Sequence, residues 1–190
     1  MVAFAIFATV PTYHVAPLFL LPVLWAGVYF RRALHLHPFH YALLAGAILL
    51  HMSGAFGLYR RSIFNLSFDI YVHFYFAFAA AMPIQRLLRH HLDLGFLGAS
   101  ILTLFVIMGI GALHEIMEYG SYLALGEEKG MLKPTTSYQF DTQRDLLNNL
   151  LGCILSLLLQ GIARQISVVS RGPRSPAEEE PKEAVPVDAA

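Results

Sequence analysis

Asp141, Asp145, Asn149 and Gly152 follow one another at i, i+4, i+8 and i+11, which on an α-helix makes one continuous stripe. The stripe opens the last strongly apolar segment, where polar groups are costly unless partners meet them. Two other segments carry such partners. Asp69 and His73 are i, i+4, as are His114 and Glu118, with Glu115 beside them. Carboxylates and imidazoles together suit a divalent cation such as Zn, Mn or Mg, with Asn149 or Gln143 hydrogen-bonding to its ligands. A bound metal acidifies water and supports hydrolysis near the headgroup level of a membrane. Without metal, a buried carboxylate serves as a general base or proton carrier. The expected ligands are His73, His114, Glu118 and Asp145. Glu115 or Asp141 is the expected acid–base group, and Asp69, Asn149, Gln143 and Arg60 complete the pocket. The HExxE pattern at His114–Glu118 lacks the second histidine of a metalloprotease HExxH motif, which excludes that class.

Positioning these groups falls to long apolar helices. The chain has 190 residues, 56% hydrophobic and 14% charged, against about a quarter charged in a soluble domain. Its mean hydropathy is +0.55, and several apolar runs approach the roughly 20 residues needed to span a bilayer. The reading is an all-α polytopic transmembrane bundle of five spans over residues 1–168, followed by a disordered Pro- and Glu-rich tail at 169–190. The spans are expected at Tyr13–Phe30, Phe39–Tyr59, Asp69–Leu88, Leu94–Tyr119 and Asp141–Ile166. Small residues at Ser53, Gly54, Gly57, Gly95, Gly98, Ala99, Gly109 and Ala112 are expected to let helices approach. A link covers 62–68, and the longest loop, 120–140, is a possible lid. The net charge of zero gives no basic surface for nucleic acid. The single Cys153 permits no internal disulfide.

With five spans, the third helix starts on the side where the fourth ends and the fifth starts. All the polar groups named above then share one membrane face. The opposite face collects His35, His37, His40, His90 and His91, read as solvated or headgroup-facing side chains or a second metal site. His51 is expected as a hydrogen-bonded histidine in mid-helix. Arg31, Arg32, Arg86, Arg89, Arg164, Arg171 and Arg174 fall on that same histidine side, which the positive-inside rule assigns to the cytoplasm, leaving the N-terminus and the polar pocket outside.

The motifs around Asp69–Phe74, His114–Tyr119 and Asp141–Gly152 resemble those of the YjdF-type inner-membrane proteins, over roughly residues 10–165. The chain is also similar to VanZ-like membrane proteins, which carry an acidic residue before His-Phe, a Glu on the next helix and an Asp-x-x-x-Asn-x-x-Gly helix start. Asp145, Asn149 and Gly152 match the last piece, while Glu118 stands where those proteins tend to carry Gln. VanZ-like proteins are associated with glycopeptide resistance, so this likeness implies a role at the cell envelope of a bacterial plasma membrane. Neither resemblance supplies a reaction; from the pocket residues themselves the expectation is a metal-dependent hydrolase of lipid or lipid-linked envelope substrates. The alternatives are a transporter or binding protein for protons, ions or a small solute, for which no inverted repeat is visible, and a non-catalytic membrane scaffold. The oligomeric state is left open.

Overall fold

Apolar side chains with little turn chemistry inside them give the chain its helices, and the breaks fall where glycine, proline and left-handed residues permit them. The computed structural model describes residue 6 and residues 24–126 and 138–170, except the side chains of Ala55, Arg60, Tyr138 and Gln139. Residues 24–29 are helical and lead into the short helix α1 (Arg31–Leu34). The longer helices are α2 (Pro38–Met52), α3 (Phe68–His91), α4 (Phe96–Leu125) and α5 (Tyr138–Ser170). Much of the expected first span (residues 13–23), residues 127–137 of the loop expected at 120–140 and the tail from 171 lie outside the described residues; that loop is shorter than expected, because α4 continues to Leu125 and α5 begins at Tyr138.

Helix α2 starts as its sequence suggests, with Pro38 in the first turn, where a missing N–H costs nothing. It stops at Met52 rather than Tyr59, which corrects the expected second span. Ser53 and Gly54 fall in a 3₁₀ turn instead of a packing face, Gly57 adopts φ +81°, and a second 3₁₀ turn covers Leu58–Arg60. The expected link at 62–68 is a small hairpin. β1 (Ser62–Ile63) pairs antiparallel with β2 (Leu66–Ser67), with Ser62 opposite Ser67 and Ile63 opposite Leu66. Its two turn residues, Phe64 and Asn65, have φ of 50° and 62°, the left-handed pair that a tight hairpin needs. The Tyr71 hydroxyl donates to the Ile63 carbonyl at 2.8 Å and ties the hairpin to α3.

Contacts along the helices give the directions. Gly46 of α2 lies against Tyr75 of α3, and His51 near the end of α2 lies beside His114 near the end of α4. Gln85 late in α3 donates to Ser100 early in α4 at 2.6 Å, and Phe96 at the start of α4 meets Gly161 and the Arg164 guanidinium late in α5. Hence α2 and α4 run one way, α3 and α5 the other. The parallel pair α3 and α5 forms the most extensive contact of the fold. Its core is narrow: Ala77, Ala80, Ala81, Ile107 and Cys153, with Leu44, Ile84, Leu104 and Leu157 around it.

Gly152 makes that narrow core possible. A Cβ built there would overlap the Phe74 carbonyl oxygen and sit 3.0 Å from the Phe74 carbonyl carbon and 3.1 Å from the Phe78 nitrogen. The two backbones therefore touch directly, as small-residue helix packing in membranes allows. Gly111 of α4 likewise makes room for the Asn149 amide. By contrast, Gly95, Gly98 and Gly109 face open space, with nothing within 4 Å of a built Cβ, and of the small residues expected to pack on α4 it is Ala99 that is fully buried.

The distribution of polarity is inverted relative to a water-soluble protein. His73, Gln85, Thr103, Glu115, Asp145, Asn149 and Ser156 are buried. Leu97, Ile101, Phe105, Leu113 and Ile116 of α4, and Leu147, Leu151, Leu158, Ile162 and Ile166 of α5, are exposed. Such a surface is at ease in hydrocarbon, with polar side chains held between helices. Among the described residues, two helices, Phe96–Leu125 and Phe140–Ser170, are long and apolar enough to cross a membrane.

Candidate functional site

The site is built where the first turns of α3 and α5 meet the last turns of α4. Asp69 and His73 stack on one face of α3, and Nε2 of His73 lies 3.4 Å from Oδ1 of Asp69. The same nitrogen is 3.9 Å from Oε1 of Glu115 on α4 and 3.9 Å from Oδ2 of Asp145 on α5. One imidazole thus stands among three carboxylates from three helices. The Asp145 and Glu115 side chains are 1% and 4% exposed, that of Asp69 20%, so the cluster opens towards the helix ends at Asp69. Ligand atoms of Asp69, His73 and Asp145 all lie within 4.8 Å of one another. Neighbouring ligands on one Zn ion lie roughly 3.4 Å apart, given bonds of about 2.1 Å, so small side-chain rotations bring the three into coordination range.

Arg144 caps the cluster. Its guanidinium pairs with Asp141, reaches Oδ2 of Asp69 at 3.6 Å and Oδ1 of Asp145 at 3.5 Å. It is the residue that sequence reasoning left without a role. Its signal was present in the spacing, because it lies three residues after Asp141 and next to Asp145, on the start of the same helix. Both oxygens of Glu115, Oδ1 of Asp145 and Oδ1 of Asn149 are buried without a well-formed hydrogen bond among the described residues, although Thr142 lies beside Glu115, and Asp69 and Arg144 lie beside Asp145. Buried charge of that kind is expensive until something polar or cationic meets it.

The expected four ligands divide. His73 and Asp145 belong to the cluster, joined by Asp69, which had been expected only at its margin. His114 and Glu118 form their own pair, with Nε2 to Oε1 at 3.2 Å and partial exposure. Glu115 faces His73 as an acid–base group would, whereas Asp141 is engaged by Arg144. Asn149 is buried one turn below Asp145, against Gly111. Gln143 is exposed and stands away from the stripe, and the Arg60 side chain is outside the described residues.

A second row of groups leads away from the cluster. The His114 ring is 5.6 Å from that of His73 and 6.3 Å from that of His51. His51 shares a 2.8 Å hydrogen bond with the Tyr59 hydroxyl, as expected, but it is half-buried and sits one residue before the end of α2 rather than in mid-helix. Three imidazoles from α2, α4 and α3 therefore run in sequence to the carboxylates.

With this geometry in view, comparison with known proteins gives the lineage. Residues 1–165 match the family described as predicted membrane protein (DUF2238), and the chain belongs to that family. No curated protein and no solved structure matches it. It is a membrane protein, built almost wholly of α-helices, with a buried Asp-His-Asp group.

Proposed function

We propose that the cluster binds one divalent cation through Asp69, His73 and Asp145, and that the chain is a metal-dependent hydrolase of lipid or lipid-linked envelope substrates. One observation carries the reading: a single imidazole held by three carboxylates from three helices, two of them almost fully buried, with carboxylate oxygens left without a well-formed hydrogen bond. A divalent ion offsets that negative charge, and the donor set of one nitrogen with hard oxygens suits Zn, Mn or Mg. Once bound, it supplies an acidified water at neutral pH. Glu115, 3.9 Å across from His73, would be the group placed to take up a proton. Asn149 lies buried one turn below Asp145 on the same helix, and His114 with Glu118 forms a partly exposed pair beside the cluster.

The wider setting of this proposal is a five-span protein of the bacterial plasma membrane, with the cluster at the outer face. The arginine distribution and the YjdF-type and VanZ-like resemblances support it. The test is metal content and lipid turnover of the purified protein in nanodiscs of bacterial lipid. His73→Ala should lose the metal, and Glu115→Gln should keep the metal while losing turnover. Metal near zero in both wild type and His73→Ala sinks the proposal. Bound metal with no turnover of any lipid sinks the hydrolase and leaves transport. That second reading rests on the imidazole row from His51 through His114 to His73, which has the form of a proton path. It requires Glu118→Gln to abolish a gradient-driven flux.

A further inference from the structure

The five histidines at the far end of the bundle separate into two sets. His37 and His40 are occupied locally, because the His37 backbone N–H donates to Nδ1 of His40 at 3.1 Å, inside the first turn of α2. His35, His90 and His91 are drawn together from two distant parts of the chain. Their ring centroids lie 4.4 Å apart for His35 and His90, 4.9 Å for His90 and His91, and 6.4 Å for His35 and His91. All three are exposed.

We propose that His35, His90 and His91 bind a transition-metal ion of the Zn or Cu class, at a site separate from the Asp-His-Asp cluster and independent of its function. Three imidazoles bound tetrahedrally to one ion, with metal–nitrogen bonds of about 2.1 Å, place their ring centroids roughly 5 Å apart. The observed separations bracket that value, and rotation of the exposed rings about their side-chain bonds would turn the nitrogens, which do not yet converge, toward one point. Imidazole nitrogen is the ligand these ions favour, and the absence of a carboxylate from the trio disfavours Mg or Ca. The backbone holds the ligands ready. His35 sits in the left-handed conformation at φ 48° at the end of α1. Its carbonyl accepts a 2.8 Å hydrogen bond from Nε of Arg86, one turn before His90 on α3. The link before α2 is thereby fastened to α3 with or without an ion. His90 and His91 close the last turn of α3, where the negative end of the helix dipole favours a cation. Three protein ligands leave the fourth position to water or a further ligand. The ion would clip the link before α2 onto α3, at the end of the bundle opposite the carboxylates.

The experiment is calorimetric titration of the metal-stripped, full-length protein in detergent with Zn²⁺. Asp145→Asn serves as background, so that the carboxylate cluster does not contribute. One equivalent should bind with micromolar affinity. His35→Ala and His90→Ala should each weaken it at least tenfold, and His37→Ala should leave it unchanged. Equal affinity in His90→Ala, or a loss in His37→Ala matching that in His90→Ala, overturns the proposal. Should the Asp145→Asn protein fail to fold, the His90→Ala/His91→Ala pair is compared with the otherwise native chain. One equivalent of Zn²⁺ fewer than wild type supports the site, and an unchanged count overturns it.

Discussion

Replacing Gly152 with alanine should open the α3–α5 contact, and the neighbouring residue reports it. The added methyl would overlap the Phe74 carbonyl oxygen, with the Phe74 carbonyl carbon and the Phe78 nitrogen at 3.0 and 3.1 Å. All three neighbours are backbone, so no side chain can swing aside. Relief requires the helices to part by about 1 Å, to reach the roughly 3.3 Å of an ordinary carbon–oxygen contact. Overpacking of this kind costs about 1–3 kcal/mol, and the rigid surroundings place it near 3. The same movement would take His73 from 3.9 Å to about 5 Å from Asp145, forfeiting roughly a further 1 kcal/mol of attraction at an effective dielectric of about 20. Cys153 is the chain's single cysteine and is fully buried in this contact, so maleimide reaches it only when the helices open. The combined loss of about 4 kcal/mol raises the open population, and hence the labelling rate, roughly 1000-fold. Gly109→Ala, where a Cβ meets nothing within 4 Å, is the control and should label like wild type. Labelling of Gly152→Ala within threefold of wild type would refute the direct backbone contact.

Further perturbations address the site itself. Arg144→Gln removes the guanidinium shared by Asp69, Asp141 and Asp145 and should destabilise the metal-free protein by about 2 kcal/mol, less than a fully buried pair because Arg144 is partly exposed. Added divalent metal should then raise the thermal midpoint more than in wild type, as a thermal-shift assay would show. Gly111→Ala forces the Asn149 amide to turn and should cost about 1–2 kcal/mol, read by chemical denaturation, and weaken metal affinity through Asp145. Asn65→Gly eases the second left-handed turn position of the hairpin and should be neutral or stabilising by up to about 1 kcal/mol in the same measurement.

The helical spacing of Asp69 with His73 and of Asp145 with Asn149 was enough to place those residues on two facing stripes, and the alternation of spans brought the stripes to one end. The sequence did not reveal which glycines pack. Gly98 and Gly109 look like Gly111 and Gly152 along the chain, and only the packing of α5 against both α3 and α4 separates them. Nor did it reveal the end of α2, because apolar residues continue past Met52 while Ser53, Gly54 and Gly57 turn the backbone into 3₁₀ geometry. The hairpin was hidden because Phe64 and Asn65 replace the Asn-Gly pair that usually marks such a turn. Arg144 was legible as a charge but not as a bridge, since its partners Asp69 and Asp145 come from different helices.

The central claim is that the carboxylate cluster binds a metal ion. Its most direct test is equilibrium dialysis of metal-stripped protein against Zn²⁺ or Mn²⁺, in a His90→Ala/His91→Ala background that silences the distal histidines. The account predicts one equivalent bound, lost in both His73→Ala and Asp145→Asn and kept in Gln143→Ala. Equal uptake by the His73→Ala and Asp145→Asn proteins, or none by the protein with the cluster intact, would contradict it.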